Sequence, residues 1–153
     1  MIQCSCSKEN QARKTFVAAR RTVLNIKIKE ISTEALAYLG DSVIELKVRE
    51  LLVERGIGGS GELNRQSLSF VKATAQAAAM RRIIPMLSEE EEAVFKRGRN
   101  MSSGNVPKSA SMSEYRTATG MEALFGYLHL TGQRERIDLL FNAAYGSEEE
   151  NEI

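Results

Sequence analysis

From residue 31 to residue 146 the apolar residues recur at helical spacing, and no stretch alternates apolar and polar as a half-buried strand must. That one pattern excludes sheets and predicts an all-α chain. Leu36, Leu39, Val43 and Leu46 keep the i, i+3, i+7, i+10 rhythm of a single buried stripe. Ser32 or Thr33 can cap a helix running to about Arg55, with Gly56 as its stop. Residues 57–61 (Ile-Gly-Gly-Ser-Gly) read as a turn. A second, alanine-rich helix is expected from Glu62 to about Ile84, ended by Pro85. Ser88 with Glu91 is a capping-box pattern that opens a third helix through Phe95. Residues 98–113, with Gly98, Gly104, Pro107 and several serines, read as a loop. Further helices are expected over about Glu114–Leu130 and Gln133–Ala144, with Gly132 between them.

The chain has 153 residues, of which 42% are hydrophobic, enough for one domain with a real core. We divide it into a basic extension over residues 1–30, partly helical around residues 11–23, a domain over 31–146 and an acidic tail over 147–153. No run of apolar residues is long enough to span a membrane, and none follows a basic start as a secretory signal would. Cys4, Cys6 and the single histidine, His129, cannot complete a tetrahedral zinc site or a disulfide framework. A reducing cytoplasm is the expected setting. His129 sits between Leu128 and Leu130 near a helix end, where a packing or capping role is the plain reading.

The net charge of +1 hides an uneven spread. Residues 1–30 hold seven Lys/Arg against two Glu, and the tail holds four Glu and no base. The domain between them is neutral in sum, so a polyanion site there must come from local clustering.

Three places carry residue types able to do chemistry. The first is Glu34-Ala-Leu-Ala-Tyr-Leu-Gly40-Asp41-Ser-Val-Ile-Glu45, whose three carboxylates share one helix face. Gly40 sits mid-helix, where glycine costs about 1 kcal/mol relative to alanine. Close approach of another helix would offset that cost. The plain alternative is a solvated acidic face beside a packing glycine, and spacing alone favours it. The second is Tyr115-Arg116-Thr-Ala-Thr119-Gly120-Met-Glu122-Ala-Leu-Phe-Gly126. Here Glu122 interrupts an apolar run, flanked by glycines that permit close backbone approach, and it needs a cation, a donor or a metal. A buried ion pair with Arg or Lys is the alternative. The third is Lys96-Arg97-Gly98-Arg99-Asn100 through Lys108, four bases and no acid, read as a glycine-rich basic loop able to follow phosphates. An ordinary exposed loop is the alternative. Lys72 and Gln76, one turn apart, either extend that surface or are simply solvated. Mg²⁺ wants hard oxygens and keeps several waters, so one or two carboxylates per ion suffice. Two such groups beside a basic loop would suit phosphodiester hydrolysis.

At these residues the chain resembles the ribonuclease III family. Leu36-Ala-Tyr-Leu-Gly-Asp41-Ser-Val is similar to that family's signature helix, Leu-Glu-Phe-Leu-Gly-Asp-[Ala/Ser]-Val. Thr119-Gly-Met-Glu122-Ala-Leu-Phe-Gly is similar to its second catalytic helix, Asp-x-x-Glu-Ala-Leu-[Ile/Leu]-Gly. The resemblance covers about residues 31–145 and is closest to the short Mini-ribonuclease III branch, which consists of the nuclease domain alone. Lys96–Asn100 with Pro107-Lys108, Tyr115-Arg116 and residues 71–77 resemble motifs of that branch. It implies the ribonuclease III fold, a two-fold homodimer, Mg²⁺ dependence and cleavage of double-stranded RNA to 5′-phosphate and 3′-hydroxyl ends, in maturation of large-subunit ribosomal RNA precursor. Asp41 and Glu122 fall on the core metal ligands, with Glu34 in support. Ala37 stands where most members have Glu, and Thr119 where most have Asp. One firmly held Mg²⁺, with Thr119 acting through water, is the expectation. Lys72, Lys96, Arg97, Arg99, Asn100 and Lys108 are the candidates for phosphate contact. The helix faces carrying Val43 and Met121 are candidates for the dimer seam, although each residue taken singly reads first as ordinary core. Two rivals stand beside this reading: a non-catalytic RNA-binding protein on the same fold, and another helical Mg²⁺ enzyme such as a nucleotide pyrophosphohydrolase. One histidine cannot supply the ligands of an HD-type phosphohydrolase.

Overall fold

The computed structural model describes residues 28–101 and 106–146. Residues 1–27 of the N-terminal extension, with the cysteines and the helix expected over 11–23, the acidic tail and residues 102–105 lie outside these, whereas Ile28 at the end of the extension is buried in the core. Six α-helices and one 3-10 turn make up the described chain, and no strand occurs among those residues.

Helix α1 spans Thr33–Glu54. The Ser32 hydroxyl accepts the Ala35 N–H at 3.1 Å, satisfying one of the free donors of the first turn. Gly56, at φ +73°, takes the left-handed conformation that ends the helix. Leu36, Ala37, Gly40, Val43, Ile44, Val48 and Leu52 are buried. Leu46 is not part of the stripe, being 58% exposed. It lies a little over half a turn from Ile44, and the packed face is centred on Gly40 and Ile44 instead.

The single helix expected over Glu62–Ile84 is two helices, α2 (Ser60–Val71) and α3 (Ala73–Ile83). Lys72, at φ −61° and ψ 144°, breaks them. Local propensity gives no sign of the break. Its reason is tertiary: α2 packs on α1, whereas α3 turns to pack on the two C-terminal helices described below. A 3-10 turn over Ile84–Met86 carries Pro85 early in its course, where a missing N–H does no harm. The expected capping box is present at α4 (Glu89–Arg99): Glu91 N–H reaches the Ser88 hydroxyl at 3.3 Å, and Ser88 N–H reaches the Glu91 carboxylate at 2.9 Å.

Helix α4 runs one turn beyond Phe95, so Lys96, Arg97 and Arg99 belong to its last turn rather than to a loop. Gly98 is there for packing, since a Cβ on it would sit 2.7 Å from Ala123 Cβ and 2.9 Å from Gly120 Cα. The three bases are also well placed at the negative end of the helix dipole.

Helix α5 (Met112–Leu130) begins two residues earlier than expected, on a second capping box between Ser111 and Glu114. Every residue from Ala123 to Leu128 is buried, as suits a helix surrounded by others. It packs against α1, α3, α4 and the last helix, α6 (Arg134–Tyr145). Val43 (8% exposed) and Met121 (0%) lie in the core of the single chain, the first reading for each, and not on a seam. His129 is exposed in the last turn of α5, so it is not a packing residue, and its place at the negative end of the helix dipole is what remains of the plain reading.

Candidate active site

The site is set by how closely α1 and α5 approach. A Cβ on Gly40 would lie 1.6 Å from the Glu122 carbonyl oxygen, and a Cβ on Gly126 would lie 2.0 Å from the Leu36 carbonyl oxygen. Backbone therefore touches backbone, and only glycine permits it. The offsetting contact that a mid-helix glycine demanded is thus found. The residue after Gly40 is Asp41, and one turn before Gly126 is Glu122. The charge of Asp41 pushes the Glu122 carboxyl upward.

Asp41 is exposed by area, yet partial burial and the charge of Glu45 both raise its pKa. Glu122 is more enclosed. Loss of solvent is the main cause, and repulsion by Asp41 the second, that raise its pKa from 4.5 to about 8. The side-chain amide of Gln76, on α3, faces this carboxylate and steadies its charged form. Gln76 is 2% exposed, so it is neither solvated nor part of an outer surface as the sequence suggested. Its Nε2 makes no hydrogen bond of normal geometry among the described residues. Glu122 has no Lys or Arg ion partner among those residues either, so the ion-pair alternative finds no support there.

The other site candidates are arranged less tightly. Glu34 is exposed in the first turn of α1, two turns before Asp41. Thr119, one turn before Glu122, is half-buried and donates its hydroxyl to the Tyr115 carbonyl at 3.0 Å. Lys72 is exposed at the α2–α3 break, and Arg97 and Lys108 are exposed. Lys96 pairs with Glu92 at 2.7 Å, across one turn of α4. The Arg99 guanidinium lies 5.7 Å from the centre of the Phe95 ring and 3.4 Å from Asn100 Oδ1. Asn100 caps the end of α4.

Two carboxylates and an orphaned buried amide, with no protein cation at Glu122 among the described residues, suit a small hard cation. Among the described residues no group of three or more His, Cys, Asp and Glu converges, so an all-protein cage such as zinc prefers is not formed there. Two oxygen donors suffice for an ion that keeps most of its waters.

Comparison with known proteins agrees with this geometry. The Ribonuclease III domain family matches residues 34–133. A Mini-ribonuclease 3 from Symbiobacterium thermophilum is 50% identical over 109 residues, 71% of this chain and 84% of that protein. The Mini-ribonuclease 3 of Enterococcus faecalis is 45% identical, over 74% and 88% of the two chains. A crystal structure of a Fusobacterium nucleatum protein superposes with a TM-score of 0.72 at 31% identity, covering 80% of this chain and 98% of that one. With its two motif helices crossing at Gly40 and Gly126, this chain belongs to the ribonuclease III family, in its Mini-ribonuclease 3 branch, and is an endoribonuclease.

Proposed function

We propose that the protein cleaves double-stranded RNA in a Mg²⁺-dependent reaction, acting on precursor of the large ribosomal subunit RNA as a homodimer. The observation that carries the reading is the Asp41–Glu122 pair, two carboxylates brought together where α1 and α5 touch, with no Lys or Arg among the described residues paired to Glu122. These two residues would hold the ion. When bound, a divalent ion of this kind makes water a better nucleophile and stabilises the leaving oxygen.

The protein's own contribution is to place and to bind. Asp41 is exposed and so open to substrate, while Glu122 is withdrawn from solvent and set by the contact of α1 with α5. Thr119 keeps lone pairs free to accept a water hydrogen, although its own hydrogen is given to Tyr115. Lys72, Arg97, Arg99 and Lys108 present positive charge for phosphate, with Asn100 as a neutral donor. Lys96 joins them once it leaves Glu92. An A-form duplex is read through its shape, phosphates and 2′-hydroxyls, which needs such a distributed set rather than base-specific contacts. Binding then weakens steeply with added salt, because each neutralised phosphate releases counterions. A second copy is supported by Tyr38, Leu46 and Val53, which are 83%, 58% and 65% exposed on one side of α1. No described helix is long and apolar enough to cross a membrane.

The test is incubation of an end-labelled RNA duplex with the protein in Mg²⁺ and in EDTA. Fragments with 5′-phosphate and 3′-hydroxyl ends, formed only with Mg²⁺, are expected. Duplex that is bound but never cut favours the non-catalytic RNA-binding reading instead.

A further inference from the structure

The feature that the mechanism above leaves unused is Gln76. It lies in an alanine-rich helix, with Ala77, Ala79, Met80 and Ile83 as its buried neighbours along α3. An apolar residue of the same size would suit that environment better, because a buried amide without a partner is costly. Yet the Gln76 Nε2 is buried and unpartnered among the described residues, and the amide faces the Glu122 carboxylate. The cost is met at the one place where a carboxylate must be held in a set orientation. The α3 helix also turns at Lys72 to reach α5, which is what brings Gln76 there.

We propose that Gln76 is a positioning residue for the reaction, its Nε2 donating to one Glu122 oxygen so that the other is turned to receive the divalent ion. The inference rests on the reading of Asp41 and Glu122 as the ion's ligands. Hydrogen bonds to a ligating carboxylate fix its orientation, and their loss typically costs 10–100-fold in metal affinity or activity.

The test compares wild type with Gln76→Leu, which removes the donor and keeps the bulk. Two properties are measured: the rise in melting temperature on titrating Mg²⁺ alone, and the Mg²⁺ concentration giving half-maximal cleavage of a labelled duplex. The variant is expected to melt no lower than wild type in EDTA. Its Mg²⁺ requirement rises roughly 10–100-fold by both measures, while its affinity for the uncut duplex in EDTA stays the same. A purely structural glutamine moves the melting temperature in EDTA and leaves the Mg²⁺ requirement alone, and that result overturns the proposal. Weakened duplex binding in EDTA overturns it too, since the amide then serves RNA directly. Should the leucine variant fail to fold, Gln76→Met, unbranched and of equal length, is read by the same criteria. A wild type that responds to Mg²⁺ and cuts, beside an unchanged variant, sinks this inference alone. A wild type that neither binds Mg²⁺ nor cuts sinks the functional reading with it.

Discussion

Glu91 and Glu122 are both taken largely out of water by the packing around α4 and α5, and the chain treats them in opposite ways. Glu91, 5% exposed, accepts Arg136 Nε and a terminal guanidinium nitrogen at 2.8 Å each, and Ser88 N–H at 2.9 Å. Arg136 first, and then the Ser88 backbone, hold its carboxyl below the usual range. Glu122 has a like charge for a neighbour and one poorly engaged amide, and its pKa climbs to about 8. The first glutamate fastens α6 to the start of α4. The second leaves a deficit of positive charge that none of the described residues fills. Uncompensated burial marks the site more sharply than burial itself does.

The largest way to break this comparison is to separate the two helices that create the deficit. Gly40→Ala puts a methyl group onto the Glu122 carbonyl and the Gly126 amide, neither of which can yield as a side chain would. We expect a loss of more than about 4 kcal/mol in denaturant unfolding, among the exceptional values for one methyl. Next, Arg136→Met turns Glu91 into a second uncompensated carboxylate. Breaking a buried pair from one side costs about 3–5 kcal/mol, and the partial exposure of Arg136 reduces the expectation to about 2–3 kcal/mol.

Glu122→Gln works in the other direction. In EDTA it should stabilise the protein by about 1–2 kcal/mol at neutral pH, a gain of the kind expected when an active-site group is relieved of its strain. The sign follows from the raised pKa. Below pH 4.5 the carboxyl is protonated whether the chain is folded or not, so wild type and variant melt with little difference. The wild type then loses ground as pH rises from there through about 8. The smallest effect is on the acid side. The lowered pKa of Glu91 means that its contribution is present above pH 4.5 and fades as pH falls through the folded value. The melting difference between wild type and Arg136→Met should shrink correspondingly in acid.

Much of this was legible in the sequence, for physical reasons that differ from residue to residue. The Ser88–Glu91 capping box, the Gly56 stop and the mid-helix Gly40 are local signals that no later packing had cause to override. Glycines near Asp41 and Glu122 draw attention to both, but spacing alone favours a solvated acidic face for the first and leaves an ion pair open for the second, and it is the resemblance to the ribonuclease III family that singles them out as ligands. The second capping box, Ser111 with Glu114, followed the same rule but lay hidden in a serine-rich stretch read as loop. The break at Lys72 left no local trace, because it answers to which neighbours α2 and α3 pack against. Gly98 misled for a related reason: glycine among bases reads as a loop, and only the nearness of Gly120 and Ala123 shows it as helix packing. The partnership of Glu91 with Arg136 joins residues 45 apart in sequence, which periodicity cannot pair.

The carboxylate that costs the fold stability is, on this reading, kept for cutting RNA. The rate of duplex RNA cleavage by Glu122→Gln in saturating Mg²⁺ tests it most directly. The variant is expected to fold, to bind the duplex as wild type does, and to cut it at least about a hundred-fold more slowly, as befits loss of a metal-holding group. A folded variant that cuts at the wild-type rate contradicts the account and returns Glu122 to the structural core.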